Sequence, residues 1–209
     1  MKHGATVQTG YNRIADAYLR QRTQDSADVR QLARLLAVLP PGALVLDAGC
    51  GAGLPIAALL TASGHRVVGL DFAVAQLTLA RQNVPGAVFV GQDLTALGLA
   101  PAAFDAVCSY YAIIHVPRHE HAGILAAFHR ALKPGGYAFL CLGAADIDDD
   151  IDDNYFGVRM YWSHYDGATN LALLREAGFV VEWSQFVSDS LGDSPPDAGH
   201  LFVLARKPL

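Results

Sequence analysis

Three glycines in five residues, Gly49-Cys50-Gly51-Ala52-Gly53, stand between an apolar run ending at Leu46 and a stretch of helical periodicity. Glycine lets the backbone turn tightly and lets a ligand lie against the main chain, while the first turn of the following helix offers N–H groups without intrahelical partners. Asp47 sits just before this loop, and Asp71 and Asp93 follow the next two apolar runs, Val67 to Leu70 and Ala87 to Val90. Ligands of open α/β sheets collect at the carboxyl ends of the strands, so carboxylates at two consecutive strand ends beside a glycine loop point to one shared ligand. The spacing then selects among ligand classes. A nicotinamide or flavin fingerprint needs GxGxxG, but the sixth position from Gly49 is Leu54, and the Gly-Lys-Ser/Thr of a phosphate-binding P-loop is absent. Proton chemistry at the same edge falls first to His115, a few residues beyond the apolar run Ala106 to Tyr110.

The elements that must hold these residues follow from periodicity. Residues 11 to 39 read as two helices, with Tyr11, Ile14, Ala15 and Tyr18, then Val29, Leu32, Leu35, Leu36 and Leu39 at helical spacing, stopped by Pro40-Pro41-Gly42. From Ala43 onward, short apolar runs alternate with helical segments near 54–63, 73–83 and 119–132, and the fifth run is Tyr137 to Leu142. Strands that are apolar throughout, separated by helices, imply a parallel sheet covered on both faces, so the expected fold is a single doubly wound, Rossmann-like α/β sheet. After Leu142 the alternation lapses for about 25 residues, long for a loop in a compact domain, and reads as a lid or substrate-binding insertion at about 144–167. It resumes with a helix at 171–177 and two strands, Phe179 to Val187 and His200 to Ala205, joined by the turn-rich Gly192 to Gly199 as a closing antiparallel hairpin. The expected organisation is N-terminal cap helices over 1–40 and one domain over 41–209.

Val45 to Gly53 closely resembles the first motif of the class I S-adenosylmethionine-dependent methyltransferases, and the likeness runs on to about Leu142. Gly69-Leu70-Asp71-Phe72-Ala73 is similar to the second motif and Gly91-Gln92-Asp93-Leu94 to the third. Phe104 to Tyr110 resembles the fourth-strand motif, Leu132-Lys133-Pro134-Gly135-Gly136-Tyr137 the turn before strand five, and Tyr11 to Tyr18 the cap helix of small-molecule members. The resemblance implies S-adenosyl-L-methionine as cofactor, held by Tyr11, Asp47, Gly49, Cys50, Gly51, Asp71, Phe72, Gln92, Asp93, Leu94 and Tyr110. In it, Asp71 accepts hydrogen bonds from both ribose hydroxyls, a task that suits an acceptor able to take two donors at once. Asp93 and the next backbone N–H read the adenine, Asp47 lies near the methionine part, and Tyr11 reaches the methionine carboxylate.

The implied reaction is transfer of the sulfonium methyl to a small molecule by in-line displacement, for which orientation alone supplies about 7 to 11 kcal/mol of the barrier. An acceptor that carries a proton needs a base, and His115 and His164 are the expected ones. Tyr155, Phe156, Tyr161, Trp162 and Tyr165, five aromatics in eleven residues of the lid, suit the wall of a flat or cationic acceptor, and the aspartates between Asp146 and Asp153 could draw a cation to the cleft. His115, His119, His121 and His129 lack the spacing of a metal site, so no metal is expected. A net charge of −5 and Ser109-Tyr110-Tyr111-Ala112 in the fourth motif, instead of Asn/Asp-Pro-Pro-Tyr/Phe, argue against nucleic acid. Neither a membrane-spanning apolar run nor a secretory signal is present and the three cysteines form no pair pattern, so a cytoplasmic protein with no membrane partner is expected. A nicotinamide-dependent oxidoreductase and a catalytically silent S-adenosylmethionine-binding module stay open as alternatives, and the oligomeric state is not readable.

Overall fold

Each apolar run becomes a strand of one seven-stranded sheet in the structure, a computed structural model that describes residues 2–23, 25–188 and 199–209. The chain order is α1 (Lys2–Gln21), α2 (Ala27–Arg30), α3 (Leu32–Leu36), β1 (Leu44–Ala48), α4 (Ile56–Ala62), β2 (Arg66–Asp71), α5 (Val74–Asn83), β3 (Val88–Gly91), β4 (Phe104–Ser109), α6 (His121–Ala131) and β5 (Leu132–Gly143), then β6 (Ile147–Tyr155), β7 (Val158–His164), α7 (Gly167–Glu176), β8 (Val180–Ser188) and β9 (Gly199–Arg206). The sheet runs β3-β2-β1-β4-β5-β9-β8, with the first five strands parallel and β9 antiparallel to both its neighbours. This is the doubly wound fold with a closing antiparallel pair. Residues 192–198 of the expected turn lie outside the described residues.

The two faces of the sheet carry separate cores, because consecutive strand residues point to opposite sides. Val45, Phe139 and Phe202 pack with Leu35, Ile56 and Leu60 on one face. Their neighbours Leu46, Leu140 and Val203 pack with Phe128 and Leu174 on the other. Asp105 ties three elements together: its carboxylate accepts from the Leu44 N–H at 2.8 Å and from the Lys133 ammonium at 2.6 Å, which pins β4 to β1 and to the turn before β5.

Within the segment expected as a lid or substrate-binding insertion, residues 147–164 form an antiparallel hairpin, a two-stranded sheet of β6 and β7. Aspartate is depleted in strands, so Ile147-Asp-Asp-Asp-Ile-Asp-Asp-Asn-Tyr155 carries no local signal for one, and pairing with β7 overrides it. The hairpin is held by α1. Val7, Tyr11, Ile14 and Tyr18 recur every three or four residues and form the stripe that meets Val158, Met160 and Tyr161 in a third, smaller core. A side chain at Gly10 would strike the Met160 side chain and the Arg159 carbonyl, at 2.9 and 3.2 Å from its Cβ, so glycine permits this close approach. Among the described residues no helix is long and apolar enough to cross a membrane.

Candidate functional site

At the carboxyl ends of β1 to β4, where the strand order reverses between β1 and β4, the chain encloses a cavity of about 790 Å³. Tyr11, Asp47, Gly49, Cys50, Gly51, Asp71, Phe72, Gln92, Asp93, Leu94, Tyr110 and His115 all line it. The glycine loop has left-handed backbone at Gly49, Gly51 and Gly53, with φ of 81°, 52° and 77°. At Gly49 any Cβ would also collide with the Ala112 Cβ, so the loop after β4 can close over the loop after β1 only because that side chain is missing.

Backbone hydrogen bonds fix the loop in place. The N–H groups of Gly49 and Cys50 donate to the Leu70 carbonyl at 2.7 and 2.8 Å. Gly51 donates to Asp71 Oδ2 at 2.9 Å, and Ala73 to Oδ1 at 2.8 Å. Asp71 thereby spans from the loop to the start of α5, with both oxygens retaining a lone pair toward the cavity it lines. Burial pushes its carboxyl up in pKa against the pull of those N–H donors. Asp47, 1% exposed, is pushed up to about 7 by burial first and by Asp71 second, and among the described residues its Oδ2 has no hydrogen-bond partner. Asp93 Oδ1 accepts from the Thr95 N–H and hydroxyl at 2.8 and 2.9 Å, which sets its carboxylate at the cavity edge. Helix α1 reaches across to the same edge: the Gln8 amide donates to the Phe72 carbonyl at 2.7 Å, and Asn12 Oδ1 accepts from the Ala75 N–H at 2.9 Å, capping α5 from outside.

Tyr11 and His115 form a pair on the cap-helix side. His115 Nδ1 lies 2.7 Å from the Tyr161 carbonyl, which can only accept, so the proton sits on Nδ1 and Nε2 accepts from the Tyr11 hydroxyl at 2.8 Å. Burial lowers the His115 pKa to about 4. At neutral pH the ring is therefore uncharged, engaged at both nitrogens, and acts as the acceptor that orients Tyr11. The same cavity holds Arg22, whose side chain is 6% exposed and whose Nη2 pairs with the fully buried Asp28 at 3.1 Å. Tyr111 has φ of 52°, a strained conformation for an aromatic residue, and it is tethered by its hydroxyl donating to Asp28 at 3.0 Å.

Several expectations are corrected. His164 does not line the cavity; its Nδ1 donates to the Ala145 carbonyl at 2.8 Å and its ring is buried, so it is not placed as a base. The five hairpin aromatics do not line it either. Tyr161 is fully buried and stacks on His3 with ring centroids 4.1 Å apart, Tyr155 meets Trp162 and Phe156 edge-on, and Tyr165 lies under the Arg118 guanidinium. A two-stranded sheet has too little surface to bury its own apolar side chains, so these rings pack it onto α1 and the loop after β4. The acidic run is engaged locally: Asp146 and Asp148 pair with Arg118, Asp153 with Arg159, and Asp149 accepts from the Tyr161 hydroxyl. The run does not line the cavity.

Sequence reasoning also missed two lining residues, Gln76 on the buried side of α5 and Arg22 just beyond the end of α1. Gln76 is 1% exposed, and among the described residues neither amide atom has a hydrogen-bond partner. The readable signal was an amide on the buried side of α5, beside Leu77 and Ala80. Leaving such an amide unpaired costs about 1 to 3 kcal/mol. Gln76→Leu, similar in volume, should therefore raise the stability of the ligand-free protein by about 1 kcal/mol, a midpoint rise of roughly 2 to 4 °C in thermal unfolding. An unchanged or lower midpoint would show that the amide finds partners without a ligand.

A family model described as a methyltransferase domain matches residues 45–136. The chain is 36% identical over 141 residues to a 2-phytyl-1,4-naphtoquinone methyltransferase of Thermosynechococcus vestitus, covering 63% of this chain and 62% of that protein. It is 36% identical over 104 residues to a ubiquinone biosynthesis O-methyltransferase of Pseudomonas paraeruginosa, covering 47% and 44%. The match thus spans between about half and three fifths of these curated relatives. In fold it is similar to the 1,6-didemethyltoxoflavin-N1-methyltransferase of Burkholderia thailandensis, solved with S-adenosylhomocysteine bound, at a TM-score of 0.74 and 24% identity over 100% of this chain and 90% of that one. A SAM-dependent methyltransferase of Methanosarcina mazei superposes with a TM-score of 0.73 at 20% identity, covering 84% and 97%.

Proposed function

We propose that this chain, which carries a class I S-adenosylmethionine-dependent methyltransferase domain, moves a methyl group from S-adenosylmethionine to a small-molecule acceptor. The observation that carries the reading is the shared cavity in which the glycine loop, Asp47, Asp71 and Asp93 converge with Tyr11 and His115. The residues fit the cofactor. Asp71 is half-buried with both oxygens fixed by N–H donors at the strand-end edge, Asp47 keeps a buried carboxylate oxygen without a partner, and the Gly49–Gly51 backbone leaves the cradle open where side chains would fill it. When bound, the cofactor supplies an activated methyl on a sulfonium, so no metal or strong nucleophile has to be built into the protein.

What the chain itself supplies is binding, orientation and dryness. Asp71 takes the ribose, Asp93 and Leu94 the adenine edge, and Asp47 and Tyr11 the methionine end. His115 holds the Tyr11 hydroxyl by accepting its proton's hydrogen bond, and α1 with the β6–β7 hairpin covers the acceptor side. A ring with a pKa near 4 is a weak proton sink, so this arrangement suits an acceptor that arrives already ionised or without a proton to lose.

Thermal unfolding of the protein alone and with S-adenosylhomocysteine, NAD, NADP or ATP, one at a time, tests the reading. S-adenosylhomocysteine at about 100 times its dissociation constant adds roughly 2.7 kcal/mol, a midpoint rise on the order of 5 to 10 °C for a chain of this size. A rise with NAD or NADP in its place would overturn the assignment. Binding of S-adenosylhomocysteine without methyl transfer from S-adenosylmethionine to any pooled small metabolite would leave only a binding module.

A further inference from the structure

We propose that the acceptor carries an anionic oxygen group on an apolar skeleton, a carboxylate or an ionised phenol, and that Arg22 anchors it; this rests on the methyltransferase reading above. Among the described residues that line the cavity, the charged ones are Arg22, Asp47, Asp71, Asp93 and Glu120. The three aspartates stand at the strand ends that the cofactor occupies. Glu120 is 39% exposed, whereas Arg22 is 6% exposed and is the cation drawn into the interior. Taking a guanidinium out of water costs several kcal/mol unless its donors are met.

They are met only in part. Among the described residues Arg22 makes one side-chain hydrogen bond, from Nη2 to Asp28 Oδ2 at 3.1 Å, and its guanidinium carbon stands 4.9 Å over the Tyr111 ring. Asp28 balances the charge but is shared, because Oδ2 also accepts from the Tyr111 hydroxyl. A planar fork with five N–H donors thus stands over an aromatic face, anchored at one corner, with its remaining donors available to a partner of carboxylate-like geometry. Tyr11 lines the same cavity. The rest of the lining supplies the apolar part: Leu19, Leu54, Ile56, Ala112 and Val116. This is the opposite charge to the cationic acceptor expected from the acidic run.

The test uses two probes with one skeleton, benzoate and benzyl alcohol, titrated by calorimetry or NMR into the protein saturated with S-adenosylhomocysteine. Each charge-assisted hydrogen bond is worth about 1.5 to 3 kcal/mol, so benzoate should bind at least about tenfold tighter than the alcohol. Arg22→Gln should bring the two within about twofold, Arg22→Lys should keep only part of the preference because an ammonium carries the charge without the fork, and S-adenosylhomocysteine affinity should stay within about threefold in both. Equal binding of the two probes to the unaltered protein, or no benzoate binding, overturns the proposal without need of a variant. So does a preference that survives in Arg22→Gln. Failure of S-adenosylhomocysteine to bind at all would instead remove the methyltransferase reading, and this proposal with it.

Discussion

Asp71→Ala should weaken S-adenosylhomocysteine binding by about 100-fold or more, because each hydrogen bond to a charged group contributes about 1.5 to 3 kcal/mol and the ribose offers two hydroxyls. The carboxylate is built for this. Gly51 and Ala73 donate to its two oxygens from opposite sides and fix its plane, so little entropy is lost when hydroxyls arrive at the remaining lone pairs. The same bonds give the substitution a second effect, since it also strips an acceptor from two backbone N–H groups and should cost about 1 to 2 kcal/mol of stability. Asp71→Asn separates the two. It keeps one accepting oxygen but turns an amide toward one of the N–H donors, so it should lose affinity while retaining the shape of the loop. Calorimetric titration of both variants, folded as judged by circular dichroism, decides: an affinity within about threefold of the unaltered protein for Asp71→Ala removes the ribose role.

Asp71 was legible in the sequence because its position is local information. A glycine loop after an apolar run, and a carboxylate at the end of the next run, are short-range patterns that translate directly into a sheet edge. The strands of the main sheet were readable for the same reason, as short runs rich in apolar residues closed by turn signals. The β6–β7 hairpin was not, since its first strand is written in aspartates and is held by partners elsewhere: Arg118 for Asp146 and Asp148, and the α1 stripe for β7. Nor was the use of the hairpin aromatics. Five rings in eleven residues say that a surface will be buried without saying which, and Tyr161 and Trp162 turn toward α1 and His115, not toward the cavity. Arg22 and Gln76 were hidden differently: one polar residue on a helix or just past its end carries no signal until the fold shows what covers it. His164 was placed beside the reacting groups by neighbourhood in sequence, and a strand's alternation sent its ring elsewhere.

Asp47→Asn should stabilise the ligand-free protein at alkaline pH and weaken cofactor binding, two effects of opposite sign from one carboxylate. Burial and the charge of Asp71 raise its pKa from 3.8 to about 7. A carboxyl whose folded pKa is raised contributes nothing below the unfolded value, where both states hold the proton. As pH rises from about 4 to 7 the unfolded chain releases its proton and the folded one does not, so stability falls, by about 1.4 kcal/mol for each tenfold gain in proton affinity and about 4 kcal/mol in all. Asparagine has no such pH dependence. The stability of the variant relative to the unaltered protein, from urea titrations, should therefore rise by roughly 3 kcal/mol between about pH 5 and pH 8, whatever constant cost its amide adds. A difference that does not change with pH would show that Asp47 stays ionised throughout, with partners that offset its burial. Retaining so costly a group makes sense if a bound cation repays it, and the methionine end of the cofactor carries an ammonium. Binding should then pull the Asp47 pKa back down, so that affinity for S-adenosylhomocysteine climbs as pH rises toward 7 in the unaltered protein and stays flat over that range in the variant.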